Sequence, residues 1–462
     1  MQKSRGHWSS RLGFVLAAAG SAIGLGNLWK FPYITWHNEG GAFVLVYLLC
    51  IAAVGFPIMV AEILVGRKTQ RSAVGALREA VGPAWGVVGG WGVLTGFVIL
   101  SFYTVVAGWT LSYFWRCMNW TINGYPETLK PADVFGGFIG QGWLQVALAA
   151  VFMAITMAVI FRGVGQGIER IARVLLPTLM VILVILMGSA LTMEGAGEAL
   201  AFIFAPTFSE LPWGGVLEAL GHSFFTLSLG MGAMITYGSY LKKNTSVVRS
   251  AGMVVVLDTV IALAATVTMF SVIFSKAGMA EQISRSTAGM LFITLPELFY
   301  TVVPMGAILA PLFYLLVGFA ALTSTISLLE VVVAYFIDER GWSRKKATTA
   351  CGLFVYSISL LCALSLGAWE PLSTFEVFQG KAGVFNTLDH LAANWMLPTG
   401  GFLITLAVGW FLSRKESEAE LMDGTQPGWF SYGSWRIFIR YISPAAVAAI
   451  ILAVIFLGAD FT

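Results

Sequence analysis

The stretch RLGFVLAAAGSAIGLGNLWKFPY, residues 11–33, is apolar over a bilayer's thickness, and three glycines interrupt its middle. A hydrocarbon core of about 30 Å needs about 20 helical residues, so the stretch predicts a membrane-spanning helix. Each glycine costs about 1 kcal/mol relative to alanine in a helix. Gly20, Gly24 and Gly26 therefore predict a break at bilayer depth, which is tolerated only where protein or a water cavity supplies hydrogen-bond partners.

The rest of the chain has the composition of a membrane protein. Of its 462 residues, 58% are hydrophobic and 11% charged, whereas a soluble domain has about 45–50% and about 25%. The net charge of +3 leaves no basic face for nucleic acid. Four cysteines without CxxC spacing form neither a disulfide framework nor a zinc site. Soluble globular proteins and nucleic-acid binders are thereby excluded.

Eleven apolar runs are long enough to cross the bilayer, and they are numbered here as spans 1 to 11. Their approximate ranges are 11–33, 41–66, 87–115, 142–161, 168–190, 214–241, 247–275, 304–337, 346–366, 382–413 and 434–457. They predict an all-α membrane protein with a single transmembrane domain over residues 1–462. Residues 288–303 are apolar but too short to cross with their own loops, and we expect a helical hairpin lying over the outer face.

The distribution of lysine and arginine predicts the orientation. With the N-terminus inside, 21 of the 27 lie in cytoplasmic loops or at cytoplasmic helix ends. We therefore expect a multi-pass protein of the inner (plasma) membrane with a cytoplasmic N-terminus and an extracytoplasmic C-terminus. Residues 416–423 are rich in acidic side chains and are interpreted as a solvated cytoplasmic loop.

A second interruption lies in span 6, where the sequence SLGMG occupies residues 228–232. The two interrupted spans each begin a set of five, at about 11–190 and about 214–413, and span 11 follows as an extra helix. Interrupted helices at corresponding positions of repeated halves indicate the binding site of a secondary transporter. The alternative is that these glycines only let helices pack closely.

A broken helix offers ligands for an anion and a cation side by side. Its amide ends attract a carboxylate, and its carbonyl ends can ligate a hard cation, which suits an amino acid with sodium. Four carboxylates, Glu62, Asp258, Glu330 and Asp389, lie within apolar runs, where each costs about 2.5–3.5 kcal/mol unless paired. Asp258 is the strongest ion-site candidate because its neighbours are otherwise apolar except for one threonine.

Other chemistry has little support. His222 is expected to be a packed histidine hydrogen-bonded between helices, with proton transfer as the alternative. The sequence has no HExxH motif, no nucleophile elbow and no phosphate-binding loop, so no enzyme is predicted.

Several strings, in order, resemble the neurotransmitter:sodium symporter family and its bacterial amino-acid transporters. They are RLGFVLAAAGSAIGLGNLWKFPY (11–33), GGAFVLVYLL (40–49), RGVGQGIERIARVLLPTL (162–179), FFTLSLGMGAMITYGSY (224–240) and ALTSTISLLE (321–330). The resemblance covers nearly the whole chain, from about residue 5 onwards. It implies the leucine-transporter-like fold, an inverted 5+5 helix repeat with spans 1 and 6 broken.

The resemblance also implies two sodium ions, held by oxygen ligands as a hard cation requires. The first ion would take the substrate carboxylate together with Ala22 (carbonyl), Asn27, Thr226 and Asp258. The second would take the carbonyls of Gly20, Ile23 and Ala320 and the hydroxyls of Thr323 and Ser324.

The implied substrate pocket has a polar end and an apolar end. The backbone of the substrate would meet Ser21, Ala22, Leu25, Gly26, Tyr103 and Thr226. Its side chain would meet Ile23, Phe225, Ser228, Met231, Ser324 and Leu328. No charge is available to pair with a charged substrate side chain, and the flexible thioether of Met231 lies between glycines. We therefore expect neutral hydrophobic L-amino acids, aliphatic and aromatic.

The family's gates map onto two pairs of charged residues. Arg5 and Asp338 match the inner pair, with Trp8 and Tyr240 nearby. Lys30 and Asp389 match the outer pair, although the family usually has arginine at the first position. Since an ammonium cannot make the two-pronged carboxylate contact of a guanidinium, the resemblance does not imply a tight outer latch here.

Further matches concern the first ion site, the breaks and the subgroup. Asp258 stands where many relatives have asparagine, and its charge would replace the chloride that animal relatives need, beside Tyr47, His222 and Thr226. Chloride independence is therefore predicted. Glu62 matches the acidic group that supports the break in span 6.

Eleven spans instead of twelve indicate the shorter bacterial subgroup. Gly167 and Pro177, separated by nine residues, match its pattern in span 5, where the subgroup is thought to open a water path to the second sodium; a proline kink that only shapes packing is the alternative.

The implied function is sodium-coupled amino-acid uptake by alternating access, in which spans 1, 2, 6 and 7 rock against spans 3–5 and 8–10. The expected partners are the amino acid, sodium and the lipid bilayer, with the protein a monomer or weak homo-oligomer. The alternatives are a proton-coupled transporter that uses His222 and Asp258, an amino-acid-gated channel, and a sensor that binds without transporting.

Overall fold

The computed structural model describes residues 6–126, 130–276, 287–425 and 430–461, and every regular element in these ranges is a helix. Nine of these helices are long and apolar enough to cross a membrane. They are Gly41–Thr69, Pro83–Asn123, Gly142–Phe161, Val164–Ala190, Val247–Phe274, Gly306–Arg340, Arg344–Leu364, Val384–Phe411 and Tyr432–Leu457. They match predicted spans 2–5 and 7–11, so the all-α membrane architecture is confirmed.

Span 1 consists of two helices, Arg11–Ala22 and Gly26–His37, which are bent by 48° where they meet. Counted as one span, the pair brings the total in the described ranges to ten. Span 6 is again two helices, Trp213–Thr226 and Ala233–Gly238, each too short to cross alone. The predicted total of eleven therefore stays a prediction, because it depends on counting this broken segment as a span.

The break in span 6 has a clear backbone cause. Ser228, Gly230 and Gly232 have φ angles of 54°, 78° and 74°. A left-handed residue ends a right-handed helix, and glycine adopts that conformation at little steric cost. The chain therefore stays unwound between the two halves of span 6.

The two breaks lie deep inside the protein. The most apolar stretch of span 3 is 72% buried and that of span 8 is 61% buried, against 33% for span 5 and 39% for span 11. Spans 3 and 8 are thus central, and spans 5 and 11 present more of their surface to lipid. Span 1 packs against span 8, and most side chains at both breaks are buried.

The expected hairpin at 288–303 is wrong, because residues 287–301 form one continuous helix. A π-helical turn, Met290–Thr294, precedes Pro296, which has no N–H to donate. The carbonyl of Leu291 instead accepts a 2.6 Å hydrogen bond from the Tyr314 hydroxyl. With that carbonyl satisfied, the chain passes the proline without turning back.

The expected solvated loop at 416–423 is also wrong. Residues Arg414–Met422 form a helix whose Leu421 is fully buried. Its Glu420 lies 2.8 Å from Nε of Arg67, a fully buried arginine near the end of span 2. Arg67 also donates to the backbone carbonyls of Thr245 and Glu420. A buried guanidinium needs an anion and acceptors, and this helix supplies both.

Candidate functional site

The break in span 1 changes where its backbone amides donate. Helix Arg11–Ala22 ends as Ile23 becomes extended, with φ −72° and ψ 92°. The Gly24 amide donates to Oδ1 of Asn27 at 3.1 Å, whereas a continuous helix would direct it to the Gly20 carbonyl. The Gly20 carbonyl is thereby released from its helical bond and is available as a ligand.

The next amide is diverted in the same way. The Leu25 amide donates to the Tyr103 hydroxyl at 3.1 Å, and the Ser21 carbonyl accepts from the hydroxyls of Ser228 at 2.9 Å and Ser324 at 3.3 Å. Side chains of spans 3, 6 and 8 therefore take over the hydrogen bonds of the broken helix, which explains how an unwound segment persists at this depth.

Three residues predicted for the first ion meet beside the break. Nδ2 of Asn27 donates to Oδ1 of Asp258 at 2.8 Å, and the Thr226 hydroxyl lies 3.2 Å from each carboxylate oxygen. All three side chains are almost fully buried. Both partners of the carboxylate are neutral, and a buried charge with neutral partners calls for a cation nearby.

The residues predicted for the second ion meet where span 1 packs on span 8. A Cβ placed on Gly20 would lie 3.1 Å from Cβ of Thr323, so the two backbones approach closely. The Thr323 hydroxyl lies 3.0 Å from the Ala320 carbonyl, and Ser324 follows on the same helix. Carbonyl and hydroxyl oxygens thus cluster here beside Ile23, a donor set that suits a hard cation.

A cavity lies between the two breaks. The residues that line it are Ser21, Ala22, Gly24, Leu25, Gly26, Ile99, Tyr103, Phe225, Thr226, Ser228, Met231, Ser324, Ser327 and Leu328. They include every residue predicted for the substrate pocket except Ile23, which is fully buried where the first helix of span 1 ends. None of these lining residues is charged.

Three lining residues were missed by sequence reasoning. Gly24 leaves room for its neighbours, since a Cβ there would lie 2.5 Å from Oγ of Ser324. Ser327 accepts a 2.7 Å hydrogen bond from the Ser21 hydroxyl. Its spacing of three residues from Ser324 could have indicated a shared helix face. Ile99 gave no signal beyond being apolar.

The break in span 6 is supported from span 2. Oε1 of Glu62 accepts a 2.8 Å hydrogen bond from the Gly230 amide, and Glu62 is fully buried. A Cβ on Gly230 would lie 2.6 Å from the Leu397 carbonyl. Met231 follows with 4% of its surface exposed and reaches the cavity. The acidic group and the tight approach of span 10 thus hold this loop in place.

Aromatic side chains pack around Trp8 at one face of the protein. Its indole Nε1 donates to the Tyr237 carbonyl at 2.9 Å, and its ring meets that of Tyr240 with centroids 6.0 Å apart. The Tyr240 hydroxyl donates to Glu330, which makes two hydrogen bonds with Arg344 at 2.8 and 2.9 Å. We call this end of the molecule the Trp8 face.

The structure describes only one residue of the predicted inner ion pair. Arg5 lies outside the described residues, so the structure gives no account of its pairing with Asp338. The Asp338 carboxylate accepts a 2.6 Å hydrogen bond from the amide of Ser72.

At the opposite end, the Lys30 face, the predicted outer residues do not pair. Lys30 and Asp389 line one cavity, but no ion pair within 4 Å joins them in the described ranges. The Lys30 ammonium instead donates to the backbone carbonyl of Phe461 and lies 5.4 Å above the Phe225 ring. Lys30 and Asp389 thus line the same cavity, but the Lys30 ammonium binds a backbone carbonyl and not the carboxylate that was expected as its partner.

His222 is packed differently from expectation. Its ring stacks on Phe31 at 5.6 Å and lies 5.7 Å from Tyr47, the neighbour expected from the chloride-site match. Neither ring nitrogen has a hydrogen-bond partner in the described part of the chain, so the expected interhelical bond is absent. Aromatic packing, which its sequence neighbours did not reveal, holds this histidine.

Span 5 is wound throughout its described length. Gly167 lies in a π-helical turn, Val164–Glu169, and Pro177 lies inside the helix that follows. A Cβ on Gly167 would lie 2.2 Å from the Val159 carbonyl, so the residue serves a close backbone approach. Opening of a water path at this turn stays a prediction.

Comparison with known proteins agrees with this geometry. The model of the sodium:neurotransmitter symporter family matches residues 5–124 and 132–459. The uncharacterized sodium-dependent transporter YhdH of Bacillus subtilis (strain 168) is 36% identical over 449 residues, which cover 97% of each chain. The sodium- and chloride-dependent GABA transporter ine of Drosophila melanogaster is 26% identical over 475 residues, covering 93% of this chain and 49% of that one.

Among solved structures, the crystal structure of MhsT in complex with L-phenylalanine is similar, with a TM-score of 0.87 and 40% identity. The match covers 97% of this chain and 100% of MhsT. Within the bacterial subgroup, the sequence resembles the multi-hydrophobic amino-acid transporter, and this likeness confirms that resemblance.

Proposed function

The chain belongs to the sodium:neurotransmitter symporter family, and from that premise we propose that it carries neutral hydrophobic L-amino acids into the cell with two sodium ions, independently of chloride. Membership makes it an integral membrane transporter of a sodium-dependent family. The ion number, the substrate class and the chloride independence are the parts proposed here.

Sodium coupling is supported chiefly by the carboxylate of Asp258. It is buried between the side chains of Asn27 and Thr226, both neutral, at the edge of the break in span 1. A cation beside it would balance its charge, and the carboxylate of an amino acid at the break would complete the ion's shell. Two sodium ions that enter with a zwitterion would gain about 4.6 kcal/mol of free energy from a membrane potential of 100 mV, which would drive uptake.

The substrate class is supported by the lining of the cavity. Phe225, Met231, Leu328 and Ile99 form its apolar part, and none of the lining residues carries a charge. A charged substrate side chain would lose its hydration there without gaining an ion pair. MhsT, whose structure contains L-phenylalanine, has a similar fold, which favours aromatic as well as aliphatic substrates.

Chloride independence is supported by the same carboxylate. Asp258 places a buried carboxylate where a bound chloride would otherwise balance sodium, and its ionised form would supply that negative charge. A second anion beside it would be repelled in a low-dielectric site.

Orientation follows from the positive-charge count. We place the Trp8 face in the cytoplasm, because the loops on that side carry most of the lysines and arginines. The Lys30 face is then outside. Transport would open the cavity to each face in turn, as spans 1, 2, 6 and 7 move against spans 3–5 and 8–10.

The decisive experiment is uptake of radiolabelled tryptophan and leucine into proteoliposomes. An inward sodium gradient is compared with choline and with a pH gradient alone, each with chloride or gluconate outside. We expect uptake of both amino acids only with sodium and at equal rates with either anion. Uptake driven by protons alone would contradict sodium coupling, and binding without uptake would favour a sensor.

A pair of variants links the result to the site. Asp258→Ala should abolish sodium-driven uptake. Asp133→Ala removes an exposed carboxylate from a loop helix and should leave uptake unchanged. Equal loss in both variants would point to a general effect of lost negative charge.

A further inference from the structure

The chain that follows span 11 folds back over the Lys30 face. Gly458 ends the last helix in a left-handed conformation, with φ 63°. Phe461 then enters a pocket between the first half of span 6 and span 10, where only 5% of its surface is exposed. A Cβ on Gly221 would lie 3.4 Å from Cδ1 of the Phe461 ring, so the ring packs directly against span 6 at this residue.

Polar contacts also hold this segment. Asn394 of span 10, 1% exposed, accepts a 2.8 Å hydrogen bond from the Phe461 amide. The same asparagine donates to Oδ1 of Asp460 at 3.0 Å. The Asp460 carboxylate also lies 2.5 Å from Nζ of Lys381 and 3.4 Å from Nδ1 of His390.

This segment contacts both groups of spans that the proposed function moves against each other. The Phe461 carbonyl accepts from Lys30 in span 1, and its ring packs on Gly221 in span 6. Asn394 belongs to span 10. Spans 1 and 6 are in the group proposed to move, and span 10 is in the group proposed to stay. Separation of the two groups on this face would have to break these bonds.

We propose that residues 458–461 form a strap that keeps the cavity lined by Lys30 and Asp389 closed to the outside, with Asn394, Asp460 and Phe461 as its gating residues. The strap connects the two groups of spans in place of a direct ion pair between Lys30 and Asp389, which is not formed in this structure. Its place in a transport cycle rests on the proposed function, but its effect on access to this cavity, which we call the vestibule, does not.

Access is measured with a cysteine in the cavity that Lys30 and Asp389 line. Val106 is 4% exposed and lines the vestibule with Lys30 and Asp389. In a Cys50→Ala background, which removes the half-buried natural cysteine, Val106→Cys is labelled from outside with an impermeant methanethiosulfonate, in sodium and without substrate. Adding Phe461→Ala should raise the labelling rate by at least about tenfold, because truncating a buried aromatic ring removes most of its packing free energy.

A matched control and a milder variant complete this test. Phe456→Ala removes an aromatic ring that is 75% exposed, from the same end of span 11, and should leave labelling unchanged. Asp460→Asn keeps the shape of the strap but removes its charge, and should accelerate labelling by a smaller factor. Unchanged labelling in both Phe461→Ala and Asp460→Asn would overturn the proposal.

A crosslink provides a second test, because it fixes the strap in place whereas the substitutions above loosen it. Gly221→Cys with Phe461→Cys, joined by a short bis-methanethiosulfonate, should stop sodium-driven uptake, and dithiothreitol should restore it. Gly221→Cys with Phe456→Cys is the control and should not be inhibited. Normal uptake by the crosslinked protein would overturn the strap. If the unmodified protein shows no uptake at all, the proposed function fails. The labelling rates still test whether the strap limits access to the vestibule.

Discussion

Asn27 of span 1 and Asp258 of span 7 are 231 positions apart in the chain, and their side chains are joined by a 2.8 Å hydrogen bond. The bond places a carboxylate at the edge of the span 1 break, while Oδ1 of the same asparagine accepts from the Gly24 amide. One side chain therefore links the break in the backbone to the buried carboxylate. This geometry makes Asp258 the residue on which ion coupling can be tested most directly.

The first prediction concerns the charge of Asp258. Asp258→Asn keeps the size of the side chain and removes the charge that would balance sodium in a low-dielectric site. Sodium-driven tryptophan uptake in gluconate should fall by at least about tenfold, a ratio that corresponds to about 1.4 kcal/mol. Chloride should restore part of the uptake by supplying the missing negative charge. Full uptake by this variant in gluconate would show that the carboxylate is not part of ion binding.

The second prediction concerns the support that Glu62 gives to the break in span 6. Glu62→Gln keeps a carbonyl oxygen for the Gly230 amide, whereas Glu62→Ala leaves that buried amide without its acceptor. An unsatisfied buried donor costs about 1–3 kcal/mol. The apparent melting temperature in detergent should therefore fall by several degrees in the alanine variant and clearly less in the glutamine variant. A larger loss in the glutamine variant would contradict this role.

The third prediction concerns the backbone at Gly230. Gly230→Ala places a Cβ 2.6 Å from the Leu397 carbonyl at a φ of 78°, so it combines a steric clash with backbone strain of about 1–3 kcal/mol. We expect a lower yield of folded protein and weaker sodium-dependent binding of tryptophan. Gly188→Ala is the control, because a Cβ there meets no atom within 4 Å on an exposed helix face. Equal behaviour of the two variants would rule out a steric requirement at the break.

The fourth prediction concerns the buried ion pair at the Trp8 face. Glu420→Gln leaves the guanidinium of Arg67 buried without its charge partner, and breaking such a pair costs about 3 kcal/mol or more. The melting temperature in detergent should drop by several degrees. Glu418→Gln, on the same helix, removes only an exposed carboxylate, 46% accessible and 3.7 Å from Arg414, and should change little. A comparable drop in both would indicate a general charge effect.

The site could be predicted from sequence to a useful degree. The glycines at 20–26 and 228–232 marked both breaks, because a residue that disfavours helix is informative wherever the surrounding run is apolar. Family resemblance then supplied the pocket, and the structure places all of its residues except Ile23 around one cavity. Ser327 was missed because its contact with Ser21 depends on how span 8 is rotated about its axis.

Errors arose where a local pattern permits two structures. The acidic composition of 416–423 fits a solvated loop or a helix with one buried face, and only the buried guanidinium of Arg67 beneath it selects the helix. The run at 288–303 contains a proline that could have marked a turn, but the Tyr314 hydroxyl satisfies the carbonyl left without a donor. In both cases a distant residue decided the outcome.

The sequence by itself determined that the chain is a helical membrane protein, where its helices break and to which family it belongs. These properties follow from contiguous residues, since hydropathy and helix propensity act over one or two turns. Only the tertiary structure decided which partners meet across the molecule. Lys30 donates to the carbonyl of Phe461, 431 positions away in the chain, and does not pair with Asp389, which is closer in sequence. Such pairings depend on how whole helices pack, and no local pattern encodes them.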